Sequence, residues 1–206
     1  MKTLDGFGDV FFIVKEKPRV LIPAIFGVVV VGIMNFVIFG YFGMLKLSVT
    51  WMPFALTVFK WSLIFTLSAW SALLIAYDDP KVEKIFSKSF VSLFTLSTFM
   101  AFFVVWGLDL YVIPGFFVLF LMEYAPCHMI LSGSTDSLEA FKGNMRFILE
   151  DSHVIHTIVS LFILVTLFAI PYVGEYLAAF FYVLWIPNIY VSEKRRMENE
   201  EEVNIW

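Results

Sequence analysis

The feature that most constrains this chain is a series of apolar stretches about as long as a bilayer is thick. A transmembrane helix needs about 20 mostly apolar residues. Six stretches approach or exceed that length: residues 20–45, 51–77, 90–112, 113–131, 153–172 and 175–191. Backbone placed in hydrocarbon must satisfy its hydrogen bonds within its own segment, so each stretch is expected to be helical. The composition agrees: 60% of the 206 residues are hydrophobic and 16% charged, with 25 Phe and 6 Trp. A soluble domain carries about 25% charged residues. The expected fold class is all-α: a polytopic membrane protein in one membrane domain, residues 1–192, with a charged tail over 193–206.

The connections sort into two kinds. Short turns rich in Pro and Gly follow spans three and five, at Tyr111-Val112-Ile113-Pro114-Gly115 and Ile170-Pro171-Tyr172-Val173-Gly174. Proline removes a backbone donor and glycine admits unusual dihedrals, so these read as hairpin turns. The other segments are longer and amphipathic. Leu4, Phe7, Phe11 and Val14 recur at helical spacing; so do Val82, Ile85, Phe86 and Phe90 after Asp79-Pro80. Leu138, Phe141, Met145 and Ile148 form a third stripe, behind an Asp136–Glu139 pair that resembles a capping box. Short helices of this kind can lie in the membrane interface. The expected architecture is therefore three hairpins of spans, each led by an interfacial helix, a weak threefold repeat of element order.

Basic residues orient the spans. With both termini inside, the inner segments hold twelve of the fourteen Lys and Arg residues; Lys46 alone falls in an outer turn, and Lys60 falls within a span. The expected location is the cell membrane, multi-pass, with both termini cytoplasmic. No small-residue cleavage site follows the first apolar stretch, which Asp5 and Asp9 interrupt, so residues 1–18 do not read as a cleavable signal. No basic stripe lies outside the membrane flanks, which argues against nucleic acid. The single cysteine, Cys127, cannot form an internal disulfide.

Ionisable residues inside a bilayer are costly and are functional candidates by default. Lys60 and Glu123 lie at similar depth, roughly 14 Å from the outer ends of spans two and four, and are expected to pair. Such a pair could line a polar cavity or relay protons; the alternatives are a buried ion pair with no transport role, or a Lys60 that snorkels to the outer surface. Asn35 and Asn188 are the other intramembrane polar candidates, Asn188 directly after Pro187; Asp109 reads as interfacial. His153 and His156 share a helix face beside Glu150 and Asp151, a weak metal candidate without an evident fourth ligand; no metal or cofactor is expected. Adjacent helical residues point about 100° apart, so Cys127 and His128 do not suit a nucleophile pair. Ser68, Ala72 and Ala76 form a small-residue face suited to close packing within the bundle, or to a homodimer seam. Trp51, Trp106, Tyr111, Tyr172 and Tyr176 read as interfacial anchors. No Walker loop, dinucleotide fingerprint, Gly-x-Ser-x-Gly or His-Glu-x-x-His occurs, and no catalytic residue is assigned.

Residues 113–150 resemble a known pattern. Ile113-Pro114-Gly115-Phe116-Phe117 opens a span that continues through Tyr124-Ala125-Pro126 to Met129-Ile130-Leu131, and Ser137-Leu138-Glu139-Ala140-Phe141-Lys142 follows. This is similar to the membrane domain attached to some glycerophosphoryl diester phosphodiesterases, and to its stand-alone bacterial and archaeal relatives. Gly143-Asn144 departs from the small hydroxyl residue usual there. The resemblance implies a membrane fold and no activity, because the catalytic part of those enzymes is a separate domain. The expected function is a non-catalytic membrane scaffold or accessory subunit. The alternative is a small transporter or lipid-handling protein with a polar site around Lys60 and Glu123. Expected partners are membrane lipids and other membrane proteins or a second copy of the chain.

Overall fold

A computed structural model of the chain describes residues 5–42, 51–78, 81–110, 112–149 and 153–203. The helices are α1 (Asp5–Glu16), α2 (Leu21–Asn35), α3 (Trp51–Ala76), α4 (Val82–Leu110), α5 (Val112–Met122), α6 (Ala125–Ser132), α7 (Ser137–Leu149), α8 (His153–Phe168) and α9 (Gly174–Val203). A 3-10 turn, Pro18–Val20, leads into α2, and a π-helical stretch, Phe36–Phe42, follows it. No strand occurs among the described residues.

Four helical runs are long and apolar enough to cross a membrane: Pro18–Gly40, Trp51–Ala76, Val82–Leu110 and Ile113–Ser132. A fifth is reached if α7 and α8, bent by 101°, count as one. Stretch 153–172 supplies only the 16 residues of α8, about 24 Å at 1.5 Å per residue. In α9, Pro187, Asn188 and several tyrosines dilute the apolar run that covers 175–191.

The core is built around α3 and α9. Helix α3 packs on α2, α4, α6 and α9, and α9 also packs on α1, α2 and α8. In lipid, close packing has to replace the hydrophobic drive, and small residues allow it. Ser68, Ala69 and Ala72 on α3 are fully buried, and the Cys127 thiol of α6 lies 3.9 Å from the Ser68 carbonyl oxygen. The small-residue face thus packs inside the bundle. At the α4–α5 turn the backbones touch: a Cβ on Gly107 would sit 2.5 Å from the Gly115 nitrogen. Phe26, Phe36, Phe39, Phe99 and Phe162 point outward, as suits a lipid-facing surface.

One end of the bundle is pinned by basic side chains on the α3 C-terminus. The last carbonyls of a helix have no intrahelical donors and attract cations. Lys17 donates to the Ile75 carbonyl at 3.1 Å and pairs with Asp78 at 2.8 Å. Arg195 of α9 donates to the Ile75 and Ala76 carbonyls at 3.1 and 2.9 Å. The entry to α2 and the late part of α9 therefore meet at the same end, called here the basic end.

Several expectations are revised. Segment 81–90 is not a separate interfacial helix; it is the first part of α4, a single helix of 29 residues. Nothing between Lys81 and Trp106 is Gly or Pro, so nothing breaks it. The stretch 113–131 is instead broken, at Glu123-Tyr124, where Pro126 leaves a backbone acceptor without its donor. Helix α9 continues through residues 193–203 of the charged tail. At the 170–174 turn it is Tyr172 (φ 64°), not Gly174, that takes the left-handed conformation. Gly174 instead lies against the Leu167 carbonyl. Asp136 caps α7 through the Leu138 amide at 2.8 Å. The capping box closes through a third residue: Ser134 Oγ accepts from the Asp136 amide at 3.1 Å and donates to Glu139 at 2.5 Å. Lys46, Asp79-Pro80, Tyr111, Glu150 and Asp151 lie outside the described residues.

Candidate functional site

Lys60 sits on the buried side of α3 and does not meet Glu123. Its ammonium pairs with Glu175 in the first turn of α9 and donates to Asn35 Oδ1 on α2 at 2.9 Å. Asn35 Nδ2 donates in turn to the second Glu175 oxygen at 2.6 Å. The triangle links three helices, and each member satisfies the other two. Glu175 gains further from the positive end of the α9 dipole. Depth along the sequence suggested Glu123; the facing of helices selected Glu175, because α3 lies against both α2 and α9. Glu175 was missed because it begins a span and reads as a headgroup-level residue.

Glu123 lies at the break between α5 and α6 and is fully buried. Its carboxylate accepts from Ser160 of α8 at 2.7 Å, and its carbonyl accepts from the Tyr182 hydroxyl of α9 at 2.7 Å. The break itself is repaired from outside. Asn144 of α7 is fully buried; its Oδ1 accepts from the Tyr124 amide at 2.9 Å and its Nδ2 donates to the Leu121 carbonyl at 2.5 Å. One side-chain amide therefore satisfies the backbone on both sides of the gap. Asn144 docks α7 into the bundle, so this helix does more than lie along a surface. Asn188 is buried within α9 one residue past Pro187.

A cavity of about 150 Å³ lies between α3, α4, α5, α8 and α9, walled by Trp61, Phe65, Leu119, Leu164, Phe168 and Tyr182, with Asp109 and Thr57 also on its lining. Lys60 and Glu123 are not part of this lining.

Near the basic end, two histidine arrangements appear. His153 and His156 are buried at the start of α8. His153 Nε2 is 3.2 Å from Glu193 Oε2 of α9, His156 Nε2 is 3.9 Å from Glu193 Oε1, and Arg196 Nη1 is 3.2 Å from Glu193 Oε2. The hydrogen bond with His153 holds the Glu193 carboxyl below its ordinary value, aided by Arg196 and His156 against the opposing effect of burial. His153 also stacks on Phe147 of α7, ring centres 4.4 Å apart. Among the described residues no group of three or more His, Cys, Asp and Glu is placed to hold a metal ion. In the described residues His153 and His156 tie α8 to α7 and α9.

The second arrangement is His128, whose Nδ1 is 2.7 Å from the Tyr190 hydroxyl of α9. Its ring lies against Gly143 of α7, where any Cβ would overlap it. Cys127, its neighbour, is buried and turned to α3. Together His128, Gly143 and Tyr190 form part of the wall of an open cavity of about 430 Å³ that also carries Lys142, Arg146 and Lys194. Nothing in the sequence marked this cluster, because its members come from three helices; only the glycine inside the amphipathic stripe of α7 hinted at a close neighbour. Comparison with protein-family models, with characterised proteins and with solved structures finds no match to this chain.

Proposed function

We propose that this chain is a non-catalytic multi-pass membrane module, a scaffold or an accessory subunit of a membrane assembly. The observation that carries the reading is the Lys60–Asn35–Glu175 triangle. A transporter built on Lys60 and Glu123 needs the two to share a polar cavity. Here Lys60 is neutralised by a carboxylate on a neighbouring helix, and Glu123 is held by Ser160. The cavity that opens in the bundle interior has mostly aromatic and aliphatic walls. In this reading the Lys60–Glu175 pair tethers helices, and Glu123 bonds to α8 through one carboxyl oxygen.

The same reading takes the bundle as six spans, with α8 and α9 as the fifth and sixth, both termini cytoplasmic and the cell membrane as location. Its support is the meeting of the α2 entry and late α9 at one end, which suits an even number of crossings, together with the excess of Lys and Arg at that end. The likeness of residues 113–150 to phosphodiesterase membrane domains adds a non-catalytic precedent. Lipids and other membrane proteins are the proposed partners.

Two measurements test this. Proteoliposomes loaded with a pH-sensitive dye are expected to show no protein-dependent proton flux. A flux abolished by Glu123→Gln or Lys60→Leu would overturn the scaffold reading. For topology, a cysteine at exposed Tyr172 should react with an impermeant thiol reagent in intact cells, and one at exposed Arg195 only after lysis; the reverse pattern would overturn the orientation.

A further inference from the structure

We propose that the cavity between α3, α4, α5, α8 and α9 binds a quaternary ammonium group, carried either by a choline lipid headgroup or by a small soluble amine. This goes beyond the scaffold reading and does not depend on it.

The cavity lies toward the end of the bundle opposite the basic end: Thr57 and Trp61 stand in the first half of α3, and Asp109 stands in the last turn of α4. Its volume is about 150 Å³. An apolar cavity of that size holds a molecule about as large as benzene, and a nitrogen ringed by methyl groups is no larger. Four aromatic rings on the lining form a connected arc. Trp61 lies 5.3 Å from Phe168 and 5.9 Å from Phe65, and Phe65 lies 4.9 Å from Tyr182, centre to centre. Neighbouring rings in the arc are tilted by 42° to 50°. Rings set this way do not stack on one another; they wall a shared space. The negative face of an aromatic ring attracts a cation, Trp most strongly, and the attraction grows where water is excluded. Aromatic cages recognise quaternary ammonium ligands on this basis.

The polar atoms of the lining suit the same charge. Asp109 brings a carboxylate and is exposed, which places it at the mouth. Thr57 donates its hydroxyl proton to the Pro53 carbonyl at 2.8 Å, and Tyr182 donates to the Glu123 carbonyl at 2.7 Å. Each hydroxyl has one proton to give, so both oxygens are left as acceptors. Among the described residues no Lys or Arg lines the cavity. Lys60, beside Trp61 in sequence, has its charge matched by Glu175. The apolar walls also select among cations. A primary ammonium buried there leaves N–H donors without partners, at a cost; a quaternary ammonium has no N–H and incurs none.

The test uses the purified full chain in a maltoside detergent and follows its melting temperature. Choline chloride is titrated against sodium chloride at equal ionic strength, and against the uncharged carbon analogue in which a tert-butyl group replaces the trimethylammonium. Phosphatidylcholine is compared with phosphatidylglycerol of the same chains. Choline is expected to bind at least about fivefold more tightly than its carbon analogue. If phosphatidylcholine stabilises beyond phosphatidylglycerol, the ligand is a lipid headgroup; if choline stabilises and phosphatidylcholine does not exceed phosphatidylglycerol, the ligand is a soluble amine. Phe168 is 38% exposed, so Phe168→Leu keeps apolar bulk at modest risk to the fold; it should weaken binding about fivefold. Asp109→Asn should weaken it about twofold to fivefold, and it carries the test if Phe168→Leu does not fold. Phe99→Leu, on the outward surface and off the cavity, should leave it unchanged. The proposal is overturned if neither choline nor phosphatidylcholine stabilises beyond its control, or if the carbon analogue binds as tightly as choline. It is equally overturned if Asp109→Asn binds as well as the parent, or if Phe99→Leu loses as much as the cavity variants.

Discussion

The two ends of this bundle use the same residue types to opposite effect. Toward the end where α9 begins, Lys60 is enclosed by Glu175 and Asn35, and the three groups consume one another's hydrogen-bonding capacity. At the basic end, Lys142, Arg146 and Lys194 line an open cavity over a fixed histidine. A lysine inside a span is expensive and must be matched by the fold itself. A lysine at headgroup level can reach water and does not need such a match. The difference teaches that the charge drawing most attention in the sequence, Lys60, is spent on structure, as Lys17 and Arg195 are at the other end.

That contrast can be broken most directly at Glu175. Glu175→Leu strands Lys60, whose side chain is 4% exposed, and should cost about 3–5 kcal/mol of unfolding stability. Lys60→Leu should cost less, because the Glu175 side chain is 24% exposed and sits at a helix N-terminus. The double variant Lys60→Leu/Glu175→Leu should recover most of the loss. Denaturation of the purified protein measures all three, and a Glu175→Leu protein as stable as the parent would show that the triangle is not structural. Next in size is Asn144→Leu. It leaves the Tyr124 amide and the Leu121 carbonyl without partners, at about 1–3 kcal/mol for each group. Asn144→Asp should fall between, since it keeps the acceptor and loses the donor.

A smaller effect depends on pH. The carboxyl of Glu193 is held below its ordinary value of 4.5. Its folded-state value lies under its unfolded one, so its stabilisation is complete above the unfolded value and is lost as pH falls through the folded value. The stability gap between the parent and Glu193→Gln should therefore close as pH falls below about 5. A gap that persists undiminished well below that pH would mean that Glu193 does not hold the α8–α9 junction as a carboxylate. The smallest effect is expected at Tyr172, whose positive φ costs a residue with a Cβ about 1–2 kcal/mol. Tyr172→Gly relieves that strain but adds unfolded-state entropy, and should raise stability by less than about 1 kcal/mol.

Much of the outline was legible because hydrocarbon imposes it locally. Apolar runs at 20–45, 51–77 and 90–112 had to become helices, and α2 with its flanking 3-10 and π-helical turns, α3 and α4 cover most of their described residues. Asp136 capped α7 as its position suggested. The candidate site was far less legible. Lys60, Asn35 and Glu175 lie on three helices and became neighbours only when those helices packed. His128, Gly143, Lys142 and Lys194 converge in the same way.

By itself the sequence determined that the chain is helical, that its surface is apolar enough for lipid, and that its basic residues gather on the connecting segments. Each follows from residue type and spacing of about one helix turn or one bilayer. Only the tertiary structure decided which acid answers Lys60, that an asparagine from α7 repairs the break in the fourth stretch, and that α4 runs unbroken from its amphipathic start. Those outcomes depend on the rotation of each helix about its axis and on which helices are neighbours. Periodicity within one segment carries no information about either.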